Sequence, residues 1–71
     1  MNRAQRAALE EKLGKGGWTG DALEKALRGA CDVPQRSERF PTATLVVEVI
    51  LGARYLLFHF EGDTLLGASN P

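Results

Sequence analysis

The sequence has very little of the residues that cross-link a chain or bind metal ions. It contains one cysteine, Cys31, and one histidine, His59. A single cysteine excludes an intramolecular disulfide framework and fits a reducing compartment. A structural zinc site normally takes four clustered Cys and His ligands, so one of each is too few. We therefore expect neither a metal nor any other cofactor.

The chain also lacks an excess of charge of either sign and a long apolar segment. Nine Lys and Arg residues balance nine Asp and Glu residues, which argues against a broad basic surface for nucleic acid and against an acidic mimic of DNA. Glu48 and Arg54 interrupt the longest apolar stretch, and the first residues lack the apolar core of a signal peptide. We expect no membrane segment and a cytoplasmic protein.

The sequence does contain enough apolar residues for one small core. Hydrophobic residues make up 44% of the 71 residues, which favours a single domain spanning residues 1–71. Residues 2–13 and 20–31 are predicted to be helices, and the proline-bounded residues 32–41 a connector. The apolar residues of the second helix recur at helical spacing and predict one buried stripe, made of Leu23, Ala26, Leu27, Ala30 and Cys31.

After the connector the apolar pattern changes from a helical to a strand-like period. Three strands are predicted, at residues 42–51, 54–61 and 64–66. The glycine-first pairs Gly52-Ala53 and Gly62-Asp63 suit two-residue hairpin turns, and the first of them pairs Val47 with Phe58. The predicted fold class is α+β, with two N-terminal helices followed by an antiparallel β-hairpin or a three-stranded meander.

The predicted hairpin is apolar on both faces, although two short helices can cover only one of them. The face expected to form the core holds Leu45, Val47, Val49, Leu56, Phe58 and Phe60. The other face mixes apolar with polar residues, a combination common at protein interfaces. The candidate partner-binding residues are those of this mixed face, Val46, Glu48, Ile50, Tyr55, Leu57 and His59, and three residues of the adjoining connector, Arg36, Arg39 and Phe40.

Two other functions compete with partner binding. Cys31 and His59 could form a thiol nucleophile and its base, but a cysteine on an apolar helical stripe behaves as a small buried hydrophobe, so we expect no enzyme. Two helices and a hairpin also suggest a small winged-helix-like reader of nucleic acid. The connector is a poor recognition helix, although its Arg36 and Arg39 could contact phosphates.

The sequence thus predicts a small non-catalytic protein-protein interaction module, such as an inhibitor, adaptor or regulator of the kind found in phages and mobile elements. We expect it to dock an exposed face or edge of its sheet on a larger protein or on a second copy of itself. The segment LVVEVIL has high β-propensity and one charge, so an unpaired edge there would attract another strand. The alternative is the nucleic-acid-binding regulator.

Overall fold

The computed structural model describes residues 1–70 and shows two helices followed by an antiparallel sheet. The elements are α1 (Arg3–Lys15), α2 (Gly20–Arg28), β1 (Cys31–Val33), β2 (Leu45–Leu51), β3 (Arg54–Glu61) and β4 (Thr64–Ser69). The sheet order is β1-β2-β3-β4, with each strand antiparallel to the next. The α+β class is confirmed, but the predicted meander lacked β1.

Helix α1 begins with a reciprocal pair of hydrogen bonds between Asn2 and Gln5. The amide of each residue donates to the side-chain oxygen of the other at 2.8 Å, which satisfies two amides that no helical carbonyl can reach. The Gln5 side chain also donates to the Gly62 carbonyl at 2.9 Å, so the start of the helix is tied to the second hairpin turn. The helix runs to Lys15 rather than ending at residue 13, because one glycine inside a helix costs only about 1 kcal/mol.

Helix α2 ends at Arg28 rather than at residue 31. Gly29 follows as its C-cap, and the chain then extends into β1, where Cys31 pairs with Glu48. Cys31 is exposed, so the prediction that it belongs to the buried helical stripe is wrong. The apolar residues keep a helical spacing up to Cys31 in the sequence. The helix nevertheless ends earlier, because Gly29 caps it and the following residues pair with β2 as a strand.

Both hairpins turn on a glycine with positive φ. The φ angles are +65° at Gly52 and +57° at Gly62, a region that favours glycine over residues with a Cβ atom. The predicted register of β2 on β3 is confirmed, and Val47 lies opposite Phe58. Strand β4 continues to Ser69 instead of ending at residue 66, because an irregularity in its pairing is followed by three further residue pairs with β3, Leu57 with Ser69, Phe58 with Ala68 and His59 with Gly67.

The two helices cover the face of the sheet that was expected to be core. The buried cluster combines Leu9, Leu13, Ala26 and Leu27 of the helices with Val47, Val49, Leu51, Phe58 and Phe60 of the strands. Leu45 and Leu56, which were also expected in the core, pack at its margin and are only partly buried. One helical layer on one face leaves the opposite face to be covered by something else or to stay exposed.

Candidate functional site

The face of the sheet that points away from the helices is called the second face. Strand pairing arranges its residues in three rows: Val33, Val46, His59 and Gly67; then Cys31, Glu48, Leu57 and Ser69; then Ile50 and Tyr55. All six strand residues predicted to bind a partner lie in these rows. The other four residues of the rows, Val33, Cys31, Gly67 and Ser69, were not predicted there. The sequence pattern places Cys31 in a helix and Val33 in the connector, and it ends the last strand at residue 66.

The predicted bounds of the connector, 32–41, are wrong at both ends, because β1 includes residues 32 and 33 and β2 begins at Leu45. From here on the connector is residues 34–44, and it covers one half of the second face. The Phe40 ring stacks on the His59 ring with centroids 4.6 Å apart and planes 28° apart. Gly67 makes room for it, since a Cβ atom there would lie 2.7 Å from Cζ of Phe40. In this half of the face the exposed fraction of the residue is only 4% at Val46, 3% at Leu57 and 1% at His59. The expectation of an open face is therefore wrong for these three residues, which form the covered half.

The other half of the second face stays open. Ile50 and Tyr55 lie directly opposite each other on β2 and β3, and they are 56% and 44% exposed. The next row adds the half-buried Glu48 and the exposed Cys31. These four residues are called the open patch. Exposed Ile and Tyr residues that face each other on paired strands form a small apolar surface with polar neighbours, which is the composition of many protein interfaces.

His59 is the buried polar residue of the covered half. Its Nε2 lies 2.7 Å from Ser69 Oγ, whereas its Nδ1 is buried without a hydrogen-bond partner. Burial disfavours the imidazolium and the Arg39 guanidinium repels it, so the pKa of His59 is lowered from its ordinary value. The ring is therefore neutral at pH 7. A Ser-His pair resembles part of a catalytic triad, but no carboxylate orients this imidazole through Nδ1.

The fold does not bring Cys31 and His59 together. They lie in different rows, and β2 stands between their strands, so roughly 10 Å of sheet separates them. His59 hydrogen-bonds Ser69 instead. The thiol and imidazole considered as nucleophile and base therefore do not form a pair.

The two edges of the sheet are poorly suited to pairing with another strand. Strand β1 has three residues and is followed by Pro34, and β4 has an irregularity where it pairs with His59 and Phe60. Short strands, prolines and bulges hinder the addition of a further strand. The expectation that LVVEVIL could be an unpaired edge is wrong for its first half, because β1 pairs with it.

The connector carries the other predicted site residues. Arg36 and Arg39 are exposed, and Cζ of Arg39 lies 5.6 Å from the centroid of the Phe40 ring. A groove of about 890 Å³ separates the connector from the sheet and is lined in part by Val33, Arg36, Phe40 and Val46. In the part of the chain that the structure describes, no helix lies between α2 and β2, so the recognition helix of a winged-helix protein is missing.

Comparison with known proteins identifies no relative, since no family model, curated protein or solved structure matches the chain. Among residues 1–70, no helix is long and apolar enough to cross a membrane. The same residues contain no cluster of three or more side chains suited to hold a metal ion. The candidate binding surfaces of the described residues are thus the open patch and the connector.

Proposed function

We propose that the chain is a small non-catalytic protein-protein interaction module that docks the open patch on a larger protein. The observation that carries this proposal is the exposure of Ile50 and Tyr55 side by side on the half of the second face that the connector leaves open. Within residues 1–70 these are the two large hydrophobic side chains that are exposed. Such a module would act as an inhibitor, adaptor or regulator of its partner.

The energetics favour docking of this pair. Burying a large apolar side chain contributes about 1.5–3 kcal/mol relative to leaving it in water, and an aromatic residue with a polar tip is favoured at interfaces. Glu48 beside the pair supplies a charge that a partner would have to match with a hydrogen-bond donor or a cation. The patch therefore combines an apolar anchor with a polar determinant of specificity.

The face is a better docking surface than the edges for a structural reason. Both outer strands have features that interrupt regular backbone pairing, namely the three-residue length of β1 and the irregular pairing of β4. Three of the four residues of the open patch, Glu48, Ile50 and Tyr55, lie instead on the long central strands β2 and β3, which hold these side chains in a fixed spacing. A rigid surface loses little conformational entropy when it binds.

The test is a capture experiment with a charge-substituted patch. The full chain would be immobilised as wild type and as the double variant Ile50→Asp/Tyr55→Asp, and the captured proteins would be compared by mass. We expect a partner that the wild type retains and the double variant loses, while circular dichroism and the unfolding midpoint stay close to wild type because both side chains are exposed.

The matched control is the double variant Ala4→Asp/Ala7→Asp, which places the same two charges at exposed positions of α1. This variant should capture the same partner as the wild type. If every protein captured by the wild type is also captured by the double variant, the open patch is not the docking surface. Sedimentation of the purified chain at several concentrations separates a larger partner from self-association.

The alternative is a nucleic-acid-binding regulator that uses the connector. Its support is the exposure of Arg36 and Arg39, with the second guanidinium lying beside the Phe40 ring, because Arg and an aromatic ring together can contact phosphates and bases. This function predicts retention on DNA or RNA that weakens steeply with salt and with the Arg36→Ala/Arg39→Ala change. Absence of salt-sensitive retention would exclude it.

A further inference from the structure

The connector is attached to the sheet at few points. All hydrogen bonds between residues 34–44 and the sheet or its turns are made by Thr44, whose amide donates to the Phe60 carbonyl at 2.7 Å and whose Oγ1 accepts from the Gly62 amide at 3.0 Å. The other connector bonds are local, as between the Ala43 amide and the Phe40 carbonyl at 3.0 Å. Away from Thr44, the connector is held on the sheet by the packing of the Phe40 ring on His59. The groove lies beside this contact.

The site under Phe40 is shaped for this ring. Gly67 provides the space that any larger residue would fill, since its Cβ atom would lie 2.7 Å from Cζ and 2.9 Å from Cε1 of Phe40. His59 provides a flat ring on which Phe40 stacks. Phe40 therefore acts as a plug for the covered half, and the plug lies directly on a side chain that can change its charge.

Protonation of His59 is unfavourable while the plug is in place. The imidazolium carries a proton on both ring nitrogens, so its Nδ1–H would be a buried donor with no acceptor. The charge would also be buried beside the Arg39 guanidinium. If Phe40 leaves, water reaches the ring and solvates both the proton and the charge.

Neighbouring elements offer His59 little compensation for a positive charge. Strand β4 has no titratable side chain between Thr64 and Ser69. The titratable residues that share the second face or the connector are Cys31, Glu48, Tyr55, Glu61, Arg36, Glu38 and Arg39. In residues 1–70 neither Glu48 nor Glu61 forms an ion pair with His59. The Arg39 guanidinium instead repels a positive charge on the imidazole.

We propose that the connector is a pH-sensitive latch: Phe40 holds it over neutral His59, and protonation of the imidazole favours release of Phe40 and exposure of the covered half. Release would enlarge the open patch by Val46 and Leu57, which lie in the adjacent rows. The inference does not rest on the docking function, because its test needs no partner.

The direction of the pH effect follows from linkage. The closed state binds a proton less readily than the released state, in which His59 titrates near its ordinary pKa of about 6.5. The latch is therefore fully held above that pH and weakens as the pH falls below it. The equilibrium constant for release should rise by up to about tenfold per pH unit, until the closed state is protonated as well.

Hydrogen exchange of the full chain, followed by NMR, tests the latch. Protection factors of the Ala43 and Val47 amides would be measured from pH 7.5 to pH 5 and corrected for intrinsic exchange. We expect the Ala43 protection factor to lie at least tenfold below that of the core residue Val47, and to fall by up to about tenfold per pH unit below about pH 6.5. Because the chain has one histidine, its ring resonance reports the titration directly.

Variants separate the latch from general instability. His59→Gln, which cannot be protonated, should remove the pH dependence of Ala43, and Phe40→Leu should return the ring titration towards pH 6.5. Tyr55→Leu removes an aromatic ring from the open patch. It should change neither the pH dependence of Ala43 protection nor the titration of the His59 ring. The latch is overturned if Ala43 and Val47 share one protection factor, if Ala43 does not respond to pH, or if His59→Gln keeps the response.

Discussion

The two halves of the second face show how one loop residue divides an apolar surface. Val46 and Ile50 are both on β2, four positions apart, and both point away from the helices. Val46 is buried and Ile50 is more than half exposed. The difference is not in the strands, whose register is regular through both halves, but in the reach of the connector, whose Phe40 ends over His59 and Gly67.

The apolar pattern of a strand does not determine whether the strand is buried. Period-2 alternation assigns residues to a face, but whether a face is covered depends on what packs on it. Here one face is covered by two helices and the other by an irregular segment anchored through one aromatic ring. We expect the connector, which is anchored through this one ring, to leave the sheet more readily than the helices do.

The largest effect that distinguishes the two halves is expected from aspartate substitutions. Val46→Asp buries an unpaired carboxylate under the connector and should lower the free energy of unfolding by about 3–5 kcal/mol. Ile50→Asp places the same charge in water and should cost less than about 1 kcal/mol. Urea unfolding of both variants measures the difference. Equal losses would mean that the two halves are not covered differently.

A smaller effect is expected from adding one methyl group under the Phe40 ring. Gly67→Ala puts a Cβ atom 2.7 Å from Phe40 Cζ, and relieving the overlap should cost about 1–3 kcal/mol. Gly14→Ala is the matched control, because a Cβ atom there has no neighbour within 4 Å. In a helix this change should stabilise the chain by about 0.5–1 kcal/mol. The midpoint temperature of thermal unfolding should therefore fall in Gly67→Ala and rise in Gly14→Ala.

Local sequence patterns predicted the parts of the fold that depend on neighbouring residues. Gly52 and Gly62 mark the two hairpin turns, and a two-residue turn fixes which residues of β2 and β3 face each other. The core face followed from the same register, since its residues alternate with those of the second face. Both helices were located, although their ends moved by up to three residues.

The candidate site was harder to predict because it depends on contacts between distant segments. Nothing local to Phe40 indicates that its ring packs on His59, nineteen positions further along the chain. Nothing local to Cys31 indicates that a strand replaces the helix there, since its pairing partner Glu48 is equally remote. Tertiary packing overrode the helical pattern at Cys31 and supplied cover that the strand pattern could not show.

The pH dependence of stability is a third way to compare the halves. His59 has a lowered pKa in the folded chain, so the unfolded chain binds more protons below about pH 6.5 and stability is lost as the pH falls through that region. The free energy of unfolding should change by no more than about 1.4 kcal/mol per pH unit on account of this one residue. Urea unfolding at pH 7.5, 6.0 and 5.0 measures it.

The control for that pH series is His59→Gln, which should flatten the slope between pH 7.5 and pH 5.0. A variant of the open half, Tyr55→Leu, should keep the slope of the wild type. If His59→Gln retains the full slope, the pH dependence does not come from the covered half.

The smallest effect is expected at Cys31, at the outer end of the open patch. The side chain is exposed on a short outer strand, so Cys31→Ser should change the free energy of unfolding by no more than about 0.5 kcal/mol. A thiol reagent should react with the folded chain nearly as fast as with the chain in denaturant, because folding does not cover the sulfur. Strong protection of the thiol in the folded chain would show that this end of the second face is covered too, and the comparison between the two halves would then fail.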